Sequence, residues 1–133
     1  MIKLVSVYQT KGAVTKLYEL LRERTPEQSI SHRRMPTMHE HRMFFHSKPY
    51  LAWNFILNEY DEIVGSIYLS KQREIGVFIF RIWHQYGYAT QAVKQMMQDW
   101  PGKFLANVNP ENYASIKFFE QFGAKHIQNT YEF

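Results

Sequence analysis

Cysteine is absent from all 133 residues, which excludes disulfides, thiolate metal sites and a cysteine nucleophile. Glycine (6) and proline (5) are sparse, so collagen-like, low-complexity and disordered classes are excluded too. Long apolar runs are missing: stretches such as Val77 to Phe80 fall far short of the roughly 20 residues that span a bilayer. The amino end, MIKLVSVYQTKG, has neither a secretory apolar core nor a cleavage site, and the expected location is the cytoplasm. Charge of one sign is modest as well. Sixteen Lys/Arg against twelve Asp/Glu leave +4, which suits an anionic ligand and is too mild to identify a nucleic-acid binder, where a concentrated basic stripe is needed. What the sequence does have is apolar and aromatic character, 45% and 17% of residues. Its length is that of one compact domain, expected to cover residues 1–133, and roughly two thirds of the extended chain's surface can be buried at that size.

Periodicity supplies the element order. Ile2 to Tyr8 alternates like a strand, and Val14, Leu17, Tyr18 and Leu21 fall at i, i+3, i+4 and i+7, predicting a helix from about Thr10 to Arg24 that Thr25-Pro26 stops. Thr37-Met38-His39-Glu40 is a capping box and predicts a short helix to about His46. Tyr50–Leu57, Ile63–Leu69 and Glu74–Phe80 read as an antiparallel meander. Ala89, Ala92, Val93, Met96, Met97 and Trp100 form the cleanest helical stripe, closed by Pro101-Gly102. Lys103–Val108 reads as a strand, Asn109-Pro110 as an N-cap with proline at the first helical position, and Ser115, Phe118, Phe119 and Phe122 as one helix face. Gly123 supplies a left-handed cap, and Lys125–Phe133 reads as a last strand. The predicted order is β-α-α-β-β-β-α-β-α-β, an α/β (α+β) fold with a mixed, mostly antiparallel sheet and helices on both faces.

The stretch Phe78-Ile79-Phe80-Arg81-Ile82-Trp83-His84-Gln85-Tyr86-Gly87-Tyr88-Ala89-Thr90 runs from a strand through a loop into the long helix, with Gly87 and Ala89 in the opening turn. Small residues there let an anion approach unpaired amides at the positive end of the helix dipole. The same spacing also serves an ordinary helix start that uses glycine for close packing. It is neither a phosphate loop of the Gly-Lys-Ser/Thr kind nor a three-glycine dinucleotide fingerprint.

A second segment, Asn107 through Asn112, Ser115 and Gly123-Ala124, follows at a fixed distance. Together the two resemble the GNAT family, the Gcn5-related N-acetyltransferases, whose loop pattern Arg/Gln-x-x-Gly-x-Gly/Ala lies over His84-Gln85-Tyr86-Gly87-Tyr88-Ala89 and whose later strand leads into an Asn-x-x-Ser helix. Glu74-Ile75-Gly76 and Tyr88-Ala89-Thr90-Gln91-Ala92 look like the branch of ribosomal-protein N-terminal and nucleotide-amino-sugar acetyltransferases. The resemblance runs from about Tyr50 to Gly123 and more loosely over the chain.

That resemblance implies acetyl-CoA as co-substrate. Backbone amides of Gln85, Tyr86, Gly87, Tyr88 and Ala89 would hold the pyrophosphate, with Thr90 also cofactor-binding, and the strand edge near Ile79, Phe80 and Arg81 would pair with the pantetheine amides. Asn112 would contact the pantetheine arm or the acetyl end, Ser115 lies one turn further along, and Phe118 and Phe119 are counted with the cofactor-binding residues, although the spacing of Phe118 equally fits the core. His84 stands where Arg or Gln is usual, and Gln85 where many members have glycine. Phe119 stands where many members carry a tyrosine that protonates the leaving thiolate, so Tyr113, Ser115, Tyr131, a water or no acid at all must serve. Glu74 is the expected base, acting through water, or else a solvated residue after a turn. The implied reaction is direct acetyl transfer to a primary amine in a ternary complex, in a monomer or homodimer. The acceptor is expected to be an amino sugar or other small amine, with a protein N-terminus or a non-catalytic CoA-binding role as alternatives.

Arg33, His39 and Trp53 are expected at the acceptor site, because in the resembling family the segment after the first helix covers that pocket; Arg33-Arg34 could equally be surface charge. His39-Glu40-His41 is not read as a metal site, since i and i+2 point to different faces of a helix. Neither a nucleic acid nor a membrane is expected as partner.

Overall fold

The computed structural model describes residues 1–24 and 34–133; the helix stop at Thr25-Pro26 and the candidate Arg33 lie outside the described residues. The first alternating run forms β1 (Lys3–Ser6) and then tightens into a 3-10 turn over Val7–Gln9, where Ser6 Oγ accepts the Tyr8 amide. Helix α1 (Ala13–Arg22) buries Ala13, Leu17 and Leu20. Helix α2 (Met38–His46) begins at the expected capping box: Thr37 Oγ1 accepts the Glu40 amide and the Glu40 carboxylate accepts the Thr37 amide. The meander follows as β2 (Tyr50–Leu57), β3 (Ile63–Ser70) and β4 (Ile75–Ile79). Then come α3 (Tyr88–Asp99) and α4 (Tyr113–Glu120).

The sheet order is β1-β2-β3-β4, every pairing antiparallel. Alternation sends Ala52, Ile56, Ile67, Leu69, Ile75 and Val77 to one face, where Ala92, Val93 and Met96 of α3 close the larger core. Trp53, Phe55 and Leu57 face the other way and meet Ala13, Leu17 and Phe45 of α1 and α2. Helices therefore cover both faces, and the fold is the expected α+β class.

Two predicted strands and one predicted cap are not formed. Lys103–Val108 makes a single parallel bridge, Leu105 with Glu74, and the Arg73 guanidinium holds the Lys103 carbonyl and those of Trp100 and Pro101 just before it. Lys125–Phe133 joins no strand and lies exposed, with Ile127 and Tyr131 65% and 78% accessible. Pro110 does not open a helix. Asn109 Oδ1 accepts the Glu111 amide and its carbonyl the Asn112 amide, a turn that defers the helix until Asn112 caps α4 through the Ser115 amide.

One buried polar group has a pH consequence. His41, 3% exposed, sits with Nε2 2.9 Å from the Val14 carbonyl, so Nε2 carries the proton and donates. Burial holds its pKa below 6.5, with Arg42 adding to the effect and the Val14 bond opposing it. The unfolded chain therefore binds the extra proton more readily, and the stability due to neutral His41, complete above pH 6.5, is lost as pH falls below that value. Melting temperature is expected to drop between pH 7.5 and 5.5, and less in His41→Gln; an equal drop would show that His41 does not carry it.

Candidate active site

Beyond Ile75 the chain's late segment departs from β4, and that departure opens the site. The Ile75 amide donates to Leu105 on the outer edge, while the Phe80 amide donates inward to Val64. Strand alternation then places the amides and carbonyls of Val77 and Ile79 on the outer edge, next to no further strand among the described residues. His84 returns to this edge: its Nε2 lies 2.9 Å from the Ile79 carbonyl and donates to it. The residue at the unusual loop position thus occupies one acceptor and leaves the Ile79 amide and both Val77 groups.

The loop after β4 makes a 3-10 turn over Arg81–Trp83 and is tied to the end of α1, since the Arg81 amide donates to Glu23 Oε1 at 2.8 Å and the Arg81 guanidinium to the Glu23 carbonyl at 2.9 Å. Gln85 and Gly87 take positive φ, 68° and 80°. Gly87 is the N-cap of α3 and offers no side chain, so the first-turn amides receive no capping oxygen, and the space where a Gly87 Cβ would stand is open for 4 Å around. An anion fits this helix start on both counts, free donors and room.

Edge, helix start and α4 line one cavity of about 1170 Å3. Of the expected cofactor residues, Ile79, Arg81, Gln85, Gly87, Tyr88, Ala89, Thr90, Asn112, Ser115, Phe118 and Phe119 lie in its wall. Phe80 and Tyr86 do not: Phe80 is buried, with its amide turned to Val64, and Tyr86 stacks on Tyr88 at 5.7 Å. Ser115 is the one expected catalytic residue in the wall. Tyr113 is 71% exposed and outside it. Glu74 is also outside; its Oε2 accepts Asn107 Nδ2 at 2.7 Å and its Oε1 lies 3.4 Å from Ser70 Oγ. Asn107, by contrast, is in the wall. Trp53 lines the cavity, and His39 is exposed away from it.

The far end of the cavity is aromatic. Tyr50 stacks on Tyr68 at 4.1 Å and 11°, Tyr68 lies 6.4 Å from Phe78, and Trp53 and Phe44 stand edge-on around Tyr50. The Tyr68 ring rests directly on Gly76, whose absent side chain makes the space. Burial pushes the Tyr50 and Tyr68 hydroxyls above their ordinary range, so both stay protonated and can donate. Burial also lowers Arg24, with the two tyrosines opposing. At the rim, the hydrogen bonds from Arg34, with the Thr37 amide, hold the Glu40 carboxyl down at about 2. Phe44, Ser66, Asn107 and Arg24 were not singled out as site residues from sequence, and nothing in the residues immediately around them signals it.

Among the described residues no three His, Cys, Asp or Glu side chains gather to hold a metal ion, and no helix is long and apolar enough to cross a membrane. The sequence profile of the acetyltransferase (GNAT) domain matches residues 5–125. No curated protein sequence matches the chain. Similar folds include a domain from Methanocaldococcus jannaschii (TM-score 0.74, 22% identity, 99% of this chain and 92% of that one). A spermidine N-acetyltransferase from Vibrio cholerae, solved with CoA and spermine, is similar at TM-score 0.75 with 13% identity, covering 92% of this chain and 79% of that one. An N-acetyltransferase from Staphylococcus aureus Mu50 is similar at 0.68 with 16% identity, covering 96% and 84%.

Proposed function

The chain belongs to the acetyltransferase (GNAT) family, and on that premise we propose that it transfers an acetyl group from acetyl-CoA directly to a primary amine of a small molecule within a ternary complex. An amino sugar is the first choice of acceptor, following the branch that Glu74-Ile75-Gly76 and Tyr88-Ala89-Thr90 resemble. The observation that carries the reading is the meeting, in one cavity, of an uncapped α3 start with the open outer edge of β4. A diphosphate joined to an amide-bearing arm needs both: free amides at a helix N-terminus for the anion, and a strand edge for the arm.

Acetyl-CoA, when bound, supplies the activated acetyl thioester. The amides following Gln85 would hold its pyrophosphate, and the Val77 and Ile79 edge groups its pantetheine arm. Asn112 spends Oδ1 on capping α4, which leaves Nδ2 for the ligand. Ser115, in the wall one helical turn on, is the proposed proton donor to the departing sulfur in place of the acid that Phe119 cannot be. Glu74 reaches the cavity only through Asn107, so its proposed part is to fix the Asn107 amide rather than to take the amine's proton. Glu74→Gln is expected to lower kcat while both limbs of the pH-rate profile stay where they are; a displaced limb would make Glu74 the base.

Two measurements test the reading. Acetyl-CoA should raise the melting temperature, and free thiol should appear only when acetyl-CoA and a suitable amine are both present. Thermal stabilisation without thiol release across amino sugars, amino acids, polyamines and peptide N-termini would favour a CoA-binding module.

A further inference from the structure

Resting on the acetyltransferase reading, we propose that Glu23, at the end of α1, is a positioning residue for acetyl-CoA: its carboxylate holds the start of the diphosphate loop in the shape that binds. The stretch from Arg81 to Gly87 has little of its own to fix it. Arg81, Ile82, His84, Gln85 and Tyr86 are all exposed. Gln85 takes a left-handed φ of 68°, which persists in a residue with a side chain only where its surroundings enforce it. Three anchors do so. Trp83 packs against the larger core, His84 bonds back to the Ile79 carbonyl, and Glu23 reaches in from 58 residues away.

The Glu23 anchor pairs groups that two helix ends leave over. The Arg81 amide opens the 3-10 turn, for which Phe80 supplies no side-chain cap, and donates to Glu23 Oε1 at 2.8 Å. In return the Glu23 carbonyl, at the C-cap of α1, accepts the Arg81 guanidinium at 2.9 Å. Both bonds are open to solvent, so they add little to overall stability. Their weight falls on the loop instead: without them the amides from Gln85 to Ala89 converge for a smaller fraction of the time, and affinity drops by that fraction. Charge alone acts in the opposite direction. Glu23 lines the cavity, and a carboxylate there repels a bound diphosphate. The loop therefore uses the reach of the side chain, and its charge is a cost.

Three substitutions separate reach from charge. Glu23→Gln keeps an oxygen at the same reach and loses the charge, Glu23→Asp keeps the charge on a side chain one methylene shorter, and Glu23→Ala loses both. Acetyl-CoA would be titrated calorimetrically into the wild type and each variant, and all four proteins melted without ligand. The expected result is that Glu23→Gln binds as tightly as the wild type or tighter, whereas Glu23→Asp and Glu23→Ala bind about tenfold more weakly. Ligand-free melting temperatures should agree within about 2 °C. Should Glu23→Ala fail to fold, the contrast between Glu23→Gln and Glu23→Asp decides by itself. Glu23→Asp or Glu23→Ala binding as tightly as the wild type, or Glu23→Gln losing as much as Glu23→Asp, would overturn the inference. Those outcomes leave the acetyltransferase reading standing; a wild type that takes up no acetyl-CoA removes that reading and the inference with it.

Discussion

Gly65→Ala is expected to melt roughly 10 °C below the wild type. Gly65 is buried in β3 opposite Ile79, and a Cβ there would fall on the Phe78 carbonyl oxygen and 3.0 Å from Ile79 Cα. Both are backbone atoms of the adjacent strand, so no rotamer change relieves the contact and β4 itself must move. Overpacking a core typically costs about 1–3 kcal/mol, more when backbone shifts, against a total stability of about 5–15 kcal/mol. For a domain of this size a loss of about 3 kcal/mol lowers the melting temperature by roughly 10 °C. Circular dichroism melts of the two proteins decide the matter; an unchanged melting temperature would mean that β3 and β4 do not approach as closely as described. The displaced strand is also the one whose outer edge lines the cavity, so activity should fall in whatever fraction does fold.

Gly87→Trp is expected to separate binding from folding in the opposite sense. No atom lies within 4 Å of a Cβ at Gly87, so the indole meets no core, and the cost to stability is the left-handed backbone at φ 80°, about 1–2 kcal/mol for a residue with a side chain. The ring would, however, stand over the amides at the start of α3. If these hold a diphosphate, losing two charge-assisted bonds at about 1.5–3 kcal/mol each weakens acetyl-CoA on the order of a hundredfold or more. Titration calorimetry on a variant that still melts cooperatively would show it. Unaltered affinity would place the diphosphate elsewhere and withdraw the central support of the functional reading.

The two glycines also mark different levels of legibility. Gly87 was readable because its role is local: a small residue at a strand-loop-helix junction is a short-range pattern, and the conformation it permits depends on its own backbone. The same holds for the capping box at Thr37 and Glu40, for the stripe from Ala89 to Met96 and for the meander, each of which shows its pattern within a stretch of about twenty residues or fewer at a time. Gly65 and Gly76 matter for what the paired strand places against them, the Phe78–Ile79 backbone over Gly65 and the Tyr68 ring over Gly76, and that depends on cross-strand register rather than on the residues beside each glycine.

The aromatic end of the cavity was concealed for a similar reason. Strict alternation sends Tyr50 and Trp53 to opposite faces of β2, yet both line the cavity, because the register shifts between Tyr50 and Ala52. Arg24 lies at the end of α1, remote in sequence from the Phe78 ring it covers. The strand predicted at Lys103–Val108 enters instead past Arg73, thirty residues earlier, whose guanidinium holds the carbonyls of Trp100, Pro101 and Lys103.

By itself the sequence determined the order of elements through α3, the helix start at Gly87 and the motifs that resemble acetyl-CoA enzymes, since each depends on neighbours along the chain. Only the tertiary structure decided that β4 keeps an open edge, that Glu74 is held by Asn107 outside the cavity, and that Arg24 stands among Tyr50, Tyr68 and Phe78. Those are contacts between segments far apart in the chain, fixed by packing and by competition for hydrogen-bonding groups that no local pattern records.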